Sequence, residues 1–568
     1  MRKLLFLLLL CAIPAWPQAG GYSSPAQGGG GTNFGASTVI VTGGAGGLSG
    51  TSGFGTTANR RYFVTANDTE TAALSITAAF VTVECNPGVT IQQLTASTRL
   101  FNLGSGANNF TLRNCGVSPP ASGTVGALIG DTAATPVNNI ILDNVQLVAN
   151  SSTGTLQASD FGFVYITGGS HHSLDVWSPA ASDNVVTLDT ADPSTHNTIS
   201  DVTIATRHGN LVESANNVYG IVLRPNAKVG TGSITELNID ADVWSASGAF
   251  YGGWGYAGLG PSDSKIIVRA HLTATSTPAM FSGSCVAHCE ITAIVDDEGQ
   301  DAFGGGIVMN DSADFILNAY VHFTNGSSGI PFEALDSRNF TLNLEASGDL
   351  NVATGLPSNG WSTTQPCIFL QNQTTVAMTN ITLGNIQCYM PPGSTVDGID
   401  FQLQGVLSPI ADGLVVTPGV HLVGVSGAGS TGINLTNTAT GGAQSFVNSV
   451  IANPWIRNFV TGINIGAGVN QTQVNGALIT GATTPVSNSG TNSRIWTHRV
   501  QTTGTLASGT LAVTFSGNDV WTGATTYQCN GSDQTAPTNA VSFTYTSGTA
   551  MTITGTTTDV IRYQCWGY

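Results

Sequence analysis

Between residues 62 and 490 two short apolar segments alternate again and again. The first is a run in which apolar and polar residues alternate, often opened or closed by Asn. Examples are Asn109 to Asn114, Asn139 to Asn144, Ile199 to Ile204, Ile234 to Ile239, Lys265 to Arg269, Phe315 to Ala319, Phe340 to Leu344 and Met378 to Leu383. The second opens on Gly followed by an apolar residue: Gly220 to Leu223, Gly306 to Met309, Gly398 to Phe401, Gly432 to Leu435 and Gly462 to Ile465, with Gly162 to Ile166 as a variant. Neighbouring copies of the first segment mostly start roughly 25 to 40 residues apart. No helical spacing of apolar residues persists beyond the N-terminus.

Two strand types per irregular period define a solenoid. In each coil alternate side chains point inward, and their neighbours face out. Stacked coils complete one another's backbone hydrogen bonds. Asn at a strand end tolerates left-handed backbone and can bond its counterpart on the next coil. Gly ahead of a strand is expected to permit a sharp corner.

These strands, and above all Val83 to Ile91 followed by Phe110 to Cys115, resemble the pectin-lyase-like superfamily over about three quarters of the chain. The resemblance implies an all-β fold, a right-handed parallel β-helix of about a dozen coils. It also implies activity on polysaccharides. Arg224 to Lys228 is similar to the Arg-Pro-basic segment of pectate lyases, without that family's Trp-Ile-Asp-His segment. Asp296-Asp297 could imitate the paired acids of polygalacturonases, but Gly-His-Gly and Arg-x-Lys are absent.

The ends read differently. Arg2 and Lys3 before the apolar Leu4 to Ile13 make residues 1–19 a secretory signal. Residues 20–61 are a Gly-rich lead-in, either a linker or a loose cap, and 62–493 the β-helix. From 494 to 568 short Thr- and Ser-rich strands predict a small antiparallel β module that caps the solenoid, binds sugar or supports trimerisation. Eight cysteines follow the signal, and an even count in an exported chain favours disulfides. Proximity suggests Cys85 with Cys115, Cys285 with Cys289, Cys367 with Cys388, and Cys529 with Cys565. A metal site at Cys285, His288 and Cys289 is the alternative. The location is extracellular or periplasmic.

Composition narrows the function. Asp, Glu, Lys and Arg make up 9% of the 568 residues, the formal net charge is -17, and Lys3, Lys228 and Lys265 are the only lysines. That excludes nucleic acid as a partner. No run outside the signal is apolar enough to span a membrane. A neutral polysaccharide suits this surface better than a strongly anionic one.

Equivalent outward residues on neighbouring coils lie ~4.8 Å apart, so laddered carboxylates approach the spacings used in glycoside hydrolysis. Aligning the first-type strands puts Asp240, His271, Tyr320 and Glu345 near one outward row. Asp242, Asp296 and His322 fall near a second. Beside them runs the acidic cluster Asp296, Asp297, Glu298 and Asp301. The Gly-rich stretch Phe250 to Tyr256, with Trp244 nearby, offers Tyr251, Trp254 and Tyr256 as platforms for sugar rings.

The expected catalytic residues are therefore Asp296 or Asp297 and Glu345 as acid and base, oriented by His271 and His322. Asp240, Asp242, Trp244, Tyr251, Trp254, Tyr256 and Tyr320 are expected to bind substrate. No cofactor is required; Ca²⁺ bound to the acidic run, or ordinary solvated turns, are the alternative readings of those acids. The functional expectation is a secreted protein that binds or degrades polysaccharide, as a glycoside hydrolase or a lyase. A non-enzymatic adhesin or surface fibre is the rival. His171, His172, Asp175 and Trp177 are a weaker candidate cluster.

Overall fold

A computed structural model of the chain describes residues 37–567, apart from 97, 121–122, 126, 133, 149–153, 157–161, 179–183, 191–196, 209–219, 225–232, 246–249, 253–259, 273–280, 284, 298–305, 324–328, 350, 352–356, 375, 405–408, 440–444, 497 and 516–522. Among the described residues there is no helix. One parallel sheet gathers 26 strands and a second gathers 15. The two strand types of the sequence are these two sheets. The Asn-flanked segments are the long strands, such as Ala313–Phe323 and Arg338–Gly348, and the Gly-led segments are the short ones, such as Ile307–Asn310 and Thr461–Ile465. Among the described residues the fifteen short strands each mark one coil, and the first sheet extends beyond them at the N-terminal end. Gly44–Ala45 and Arg60–Val64 already pair in parallel within the first sheet, and Arg494–Trp496 still does. The signal segment lies outside the described residues.

Register follows from burial. The pattern of Ala313–Phe323 alternates Phe315, Leu317 and Val321 inward with Ile316, Asn318, Tyr320 and His322 outward. A slip of one residue would exchange the two sets, so the inner column fixes the outer rows. Inside, Phe315 stacks on Phe340 with ring centroids 4.8 Å apart and planes at 9°, and Phe332 leans on Phe340 at 6.3 Å.

One backbone feature recurs on every coil. From Asn59 through Asn109, Asn139, Asp201, Asp263 and Asn380 to Asn492, one residue in or just ahead of the long strand is left-handed, with φ of 50–63° for non-Gly residues and 78° at Gly413. Asn suits this position because its short amide tolerates left-handed backbone and bonds along the stack. Asn380 Nδ2 donates to Asn339 Oδ1 at 2.9 Å, and Asn139 pairs with Asn109. In the middle coils ionisable pairs take over: His171 with Asp201, and His288 with Asp263 at 3.1 Å. His171 thus belongs to a structural ladder. His172 is buried, accepts the Ile140 N–H at Nδ1 (3.2 Å), and burial holds its imidazole down at about 4.

The glycines that open the short strands have a different reason from the corner expected of them. A Cβ on Gly432 would lie 2.5 Å from Ile456 Cγ2 and 2.6 Å from the Gly462 carbonyl oxygen; one on Gly462 would meet the Pro485 carbonyl at 2.5 Å. Neighbouring coils approach too closely for a side chain there. Gly432→Ala is expected to destabilise the chain by about 1–3 kcal/mol through overpacking. An unchanged midpoint in denaturant unfolding would contradict this.

All four disulfides join the pairs suggested by proximity: Cys85–Cys115, Cys285–Cys289, Cys367–Cys388 and Cys529–Cys565. Both sulfurs of the Cys285, His288, Cys289 group are consumed, which removes the zinc alternative. After Arg494–Trp496 the parallel stack gives way to two three-stranded antiparallel sheets. One pairs Val560–Gly567 with His498–Thr505 and Tyr527–Asp533, setting Cys565 opposite Cys529. No helix among the described residues is long and apolar enough to cross a membrane.

Candidate functional site

The outward face of the long strands carries three rows over the coils from Ser233–Ser245 to Arg338–Gly348. The first is Asp240, Ile267, Thr292, Asn318 and Asn343; the second Asp242, Arg269, Ile294, Tyr320 and Glu345; the third Trp244, His271, Asp296, His322 and Ser347. The rows expected from sequence are therefore corrected by one pleat. His271 moves to the row of Asp296 and His322, Asp242 joins Tyr320 and Glu345, and Asp240 heads the first row, apart from the other candidates. Asp240 is engaged by Arg269, whose Nη1 donates to Oδ1 at 2.5 Å. Asp297 is in register with the inward Phe323, one residue off the outward row. Phe250–Gly252, expected in a loop, is a short strand paired with Phe281–Gly283 that places Tyr251 in the 15-stranded sheet. Trp254, Tyr256, Glu298 and Asp301 fall outside the described residues.

The third row is wired together. Asp296 Oδ2 is 3.2 Å from His271 Nδ1, its Oδ1 is 3.1 Å from His322 Nδ1, and His322 Nε2 is 3.4 Å from Asp349 Oδ1. Three successive coils supply the first three groups, at the strand spacing of ~4.8 Å. The hydrogen bond from His322, backed by the charges of both imidazoles, holds the Asp296 carboxyl below the usual carboxylate range. The same bond raises His322. Burial raises Glu345 and, with the charges of Glu345 and Asp296, raises the Tyr320 phenol. The face thus sets a carboxylate held ionised near a carboxyl biased towards its protonated form, with Tyr320 and the exposed Ile294 between them. Asp296 and Glu345 are two coils and one pleat apart, about 12 Å between Cα atoms.

The short strands carry a second group of acids that was not anticipated. Glu333, Phe369, Asp400, Asn434 and Asn464 form one row. Asn434 Nδ2 reaches both Asp397 Oδ2 (2.8 Å) and Asp400 Oδ1 (3.3 Å), and Gln402 Nε2 donates to Asp400 Oδ2 at 2.6 Å. Burial, reinforced by the Asp397 charge, pushes Asp400 up to about 7; burial alone raises Glu333. A sequence signal existed: the third position of the Gly-led segments is Asp at 400 but Asn at 434 and 464. Among the described residues no group of three or more His, Cys, Asp or Glu is arranged to hold a metal ion.

No protein-family model matches the sequence, and no curated protein matches it. Solved structures do. The tailspike gp61 of Pseudomonas phage phi297 is 10% identical, with 89% of each chain covered and a TM-score of 0.35. The Gp54 tailspike of Acinetobacter baumannii bacteriophage AP22, solved with a capsular saccharide, is 9% identical over 89% of this chain and 91% of that one, at 0.32. The catalytic domain of a GH87 alpha-1,3-glucanase bound to nigerose is 10% identical over 82% and 70%, at 0.27. What this chain does is decided by its own residues.

Proposed function

We propose that the chain is an exported protein that binds polysaccharide along the outward face of its long strands and hydrolyses it there. The observation that carries this reading is the pairing of an ionised Asp296, held by two imidazoles, with a Glu345 that burial biases towards the neutral acid. Glu345 would protonate the leaving glycosidic oxygen and Asp296 would take a proton from the attacking water. With Cα atoms about 12 Å apart, side chains that lean together reach the ~6.5–9.5 Å of inverting enzymes, so the first product should carry the inverted anomer. Tyr320 stands between these groups as a sugar contact, Asp242 extends the same row two coils further, and the four disulfides suit an oxidising compartment. The scarcity of Lys and Arg favours a neutral polymer. A second location for the same chemistry is favoured by the near-neutral Asp400, which lies two coils from Glu333, ~9.6 Å away, across Phe369.

A panel of neutral and anionic polysaccharides, with and without a calcium chelator, tests the reading. New reducing ends from a neutral polymer, insensitive to the chelator, are expected. An ultraviolet-absorbing unsaturated product would mean lyase chemistry, and binding without any product would mean an adhesin.

A further inference from the structure

Asp349 lies just beyond the strand Arg338–Gly348, beside Ser358 and Asn359. Four contacts fix it: its N–H donates to Asn359 Oδ1 at 2.6 Å, its Oδ2 accepts from Asn359 Nδ2 at 3.0 Å, and its carbonyl accepts from the Ser358 N–H at 2.6 Å and from Ser358 Oγ at 2.9 Å. Asn359 lies so close to the strand end that a Cβ on Gly348 would lie 2.2 Å from the Asn359 carbonyl oxygen. The remaining carboxylate oxygen, Oδ1, points at His322 Nε2. His322 is therefore gripped from both sides, by Asp296 on the preceding coil and by Asp349 at the end of the following one.

We propose that Asp349, clamped by Asn359, is a positioning residue for the candidate site: it fixes the His322 ring as a donor to Asp296 and so keeps the Asp296 carboxylate aimed at the outward face. A ring held at one nitrogen alone could rotate about its Cβ–Cγ bond. Held at both, it has one orientation, with both nitrogens donating. The charged or titratable groups around it are Asp296 on Cys289–Asp297, Tyr320 on its own strand, Glu345 on Arg338–Gly348, and Asp349 itself. None of the others lies on the Nε2 side of the ring within ion-pair distance among the described residues. The kinetic side of the proposal rests on the hydrolase reading of this face; the structural side does not.

The test compares the full chain with Asp349→Asn and Asp349→Glu. The titration of His322 is followed by NMR of ¹³C-labelled imidazoles, assigned with His322→Gln, and cleavage is measured on a polymer that the wild-type chain degrades. In Asp349→Asn the His322 midpoint should move down, and kcat should fall by on the order of 10-fold with little change in KM. Asp349→Glu should recover part of both. A His322 midpoint that stays put in Asp349→Asn overturns the clamp. A midpoint that falls while kcat stays at the wild-type value overturns the positioning role. If the wild-type chain cleaves no polymer, the hydrolase reading fails, and the NMR shift alone still decides whether Asp349 holds His322.

Discussion

Replacing Glu345 by Gln is expected to lower glycan cleavage by about 10²- to 10⁴-fold, the usual weight of a general acid, while polymer binding persists. The substitution keeps the shape of the side chain and removes the proton that the leaving oxygen needs. Asp296→Asn should have a comparable effect by removing the base, and it should also loosen His271 and His322, which both bond that carboxylate. The pH profile carries the same logic. Asp296 must be ionised, and its carboxyl sits below the usual 3.8, so activity falls only at strongly acid pH. Glu345 must be protonated, and burial holds its carboxyl above the usual 4.5, so activity falls as pH rises through that raised pKa. The optimum therefore lies on the acid side. Wild-type rates in Glu345→Gln combined with their loss in Asp400→Asn would move the chemistry to the short-strand row.

Phe340→Ala is expected to cost about 3–5 kcal/mol of folding stability. The ring is buried, stacks on Phe315 and touches Phe332, so its removal leaves a cavity walled by three coils. In a solenoid each coil is stable only through its neighbours, so a weak coil near the middle should lower the cooperativity of unfolding as well as its midpoint. A loss below about 1 kcal/mol in denaturant titration would mean that the stack repacks around the gap.

The solenoid was legible in the sequence because its physics is local. Apolar alternation marks the inward face, Asn marks the left-handed turn, and Gly marks the close approach of coils. Cys85 and Cys115 paired by proximity for the same reason: stacked coils bring nearby segments together. The site was legible only in part. The residues that the structure joins, His271, Asp296 and His322, were all singled out, with Asp296 and His322 in one row as found and His271 off by a pleat. Aligning by apolar pattern alone placed Asp240 abreast of His271, whereas the left-handed column, which runs from Glu236 to Asp263, puts Asp240 beside Ile267. In those coils the column is held by acids and His in place of Asn, which hid it. Asp349 was missed because its role depends on a tertiary contact with Asn359 at the strand end. Glu333, Asp397 and Asp400 were missed because the environment that raises them is tertiary: isolated acids in a sequence say nothing of burial.

The most direct measurement is a crystal structure of the Glu345→Gln chain soaked with an oligosaccharide of a polymer it binds. The sugar is expected along the row from Asp242 to residue 345, one ring against Ile294 and Tyr320, with the glycosidic oxygen near position 345 and a water held by Asp296. Sugar bound instead across Glu333, Phe369 and Asp400, or no sugar on either face from any polymer tested, would contradict it.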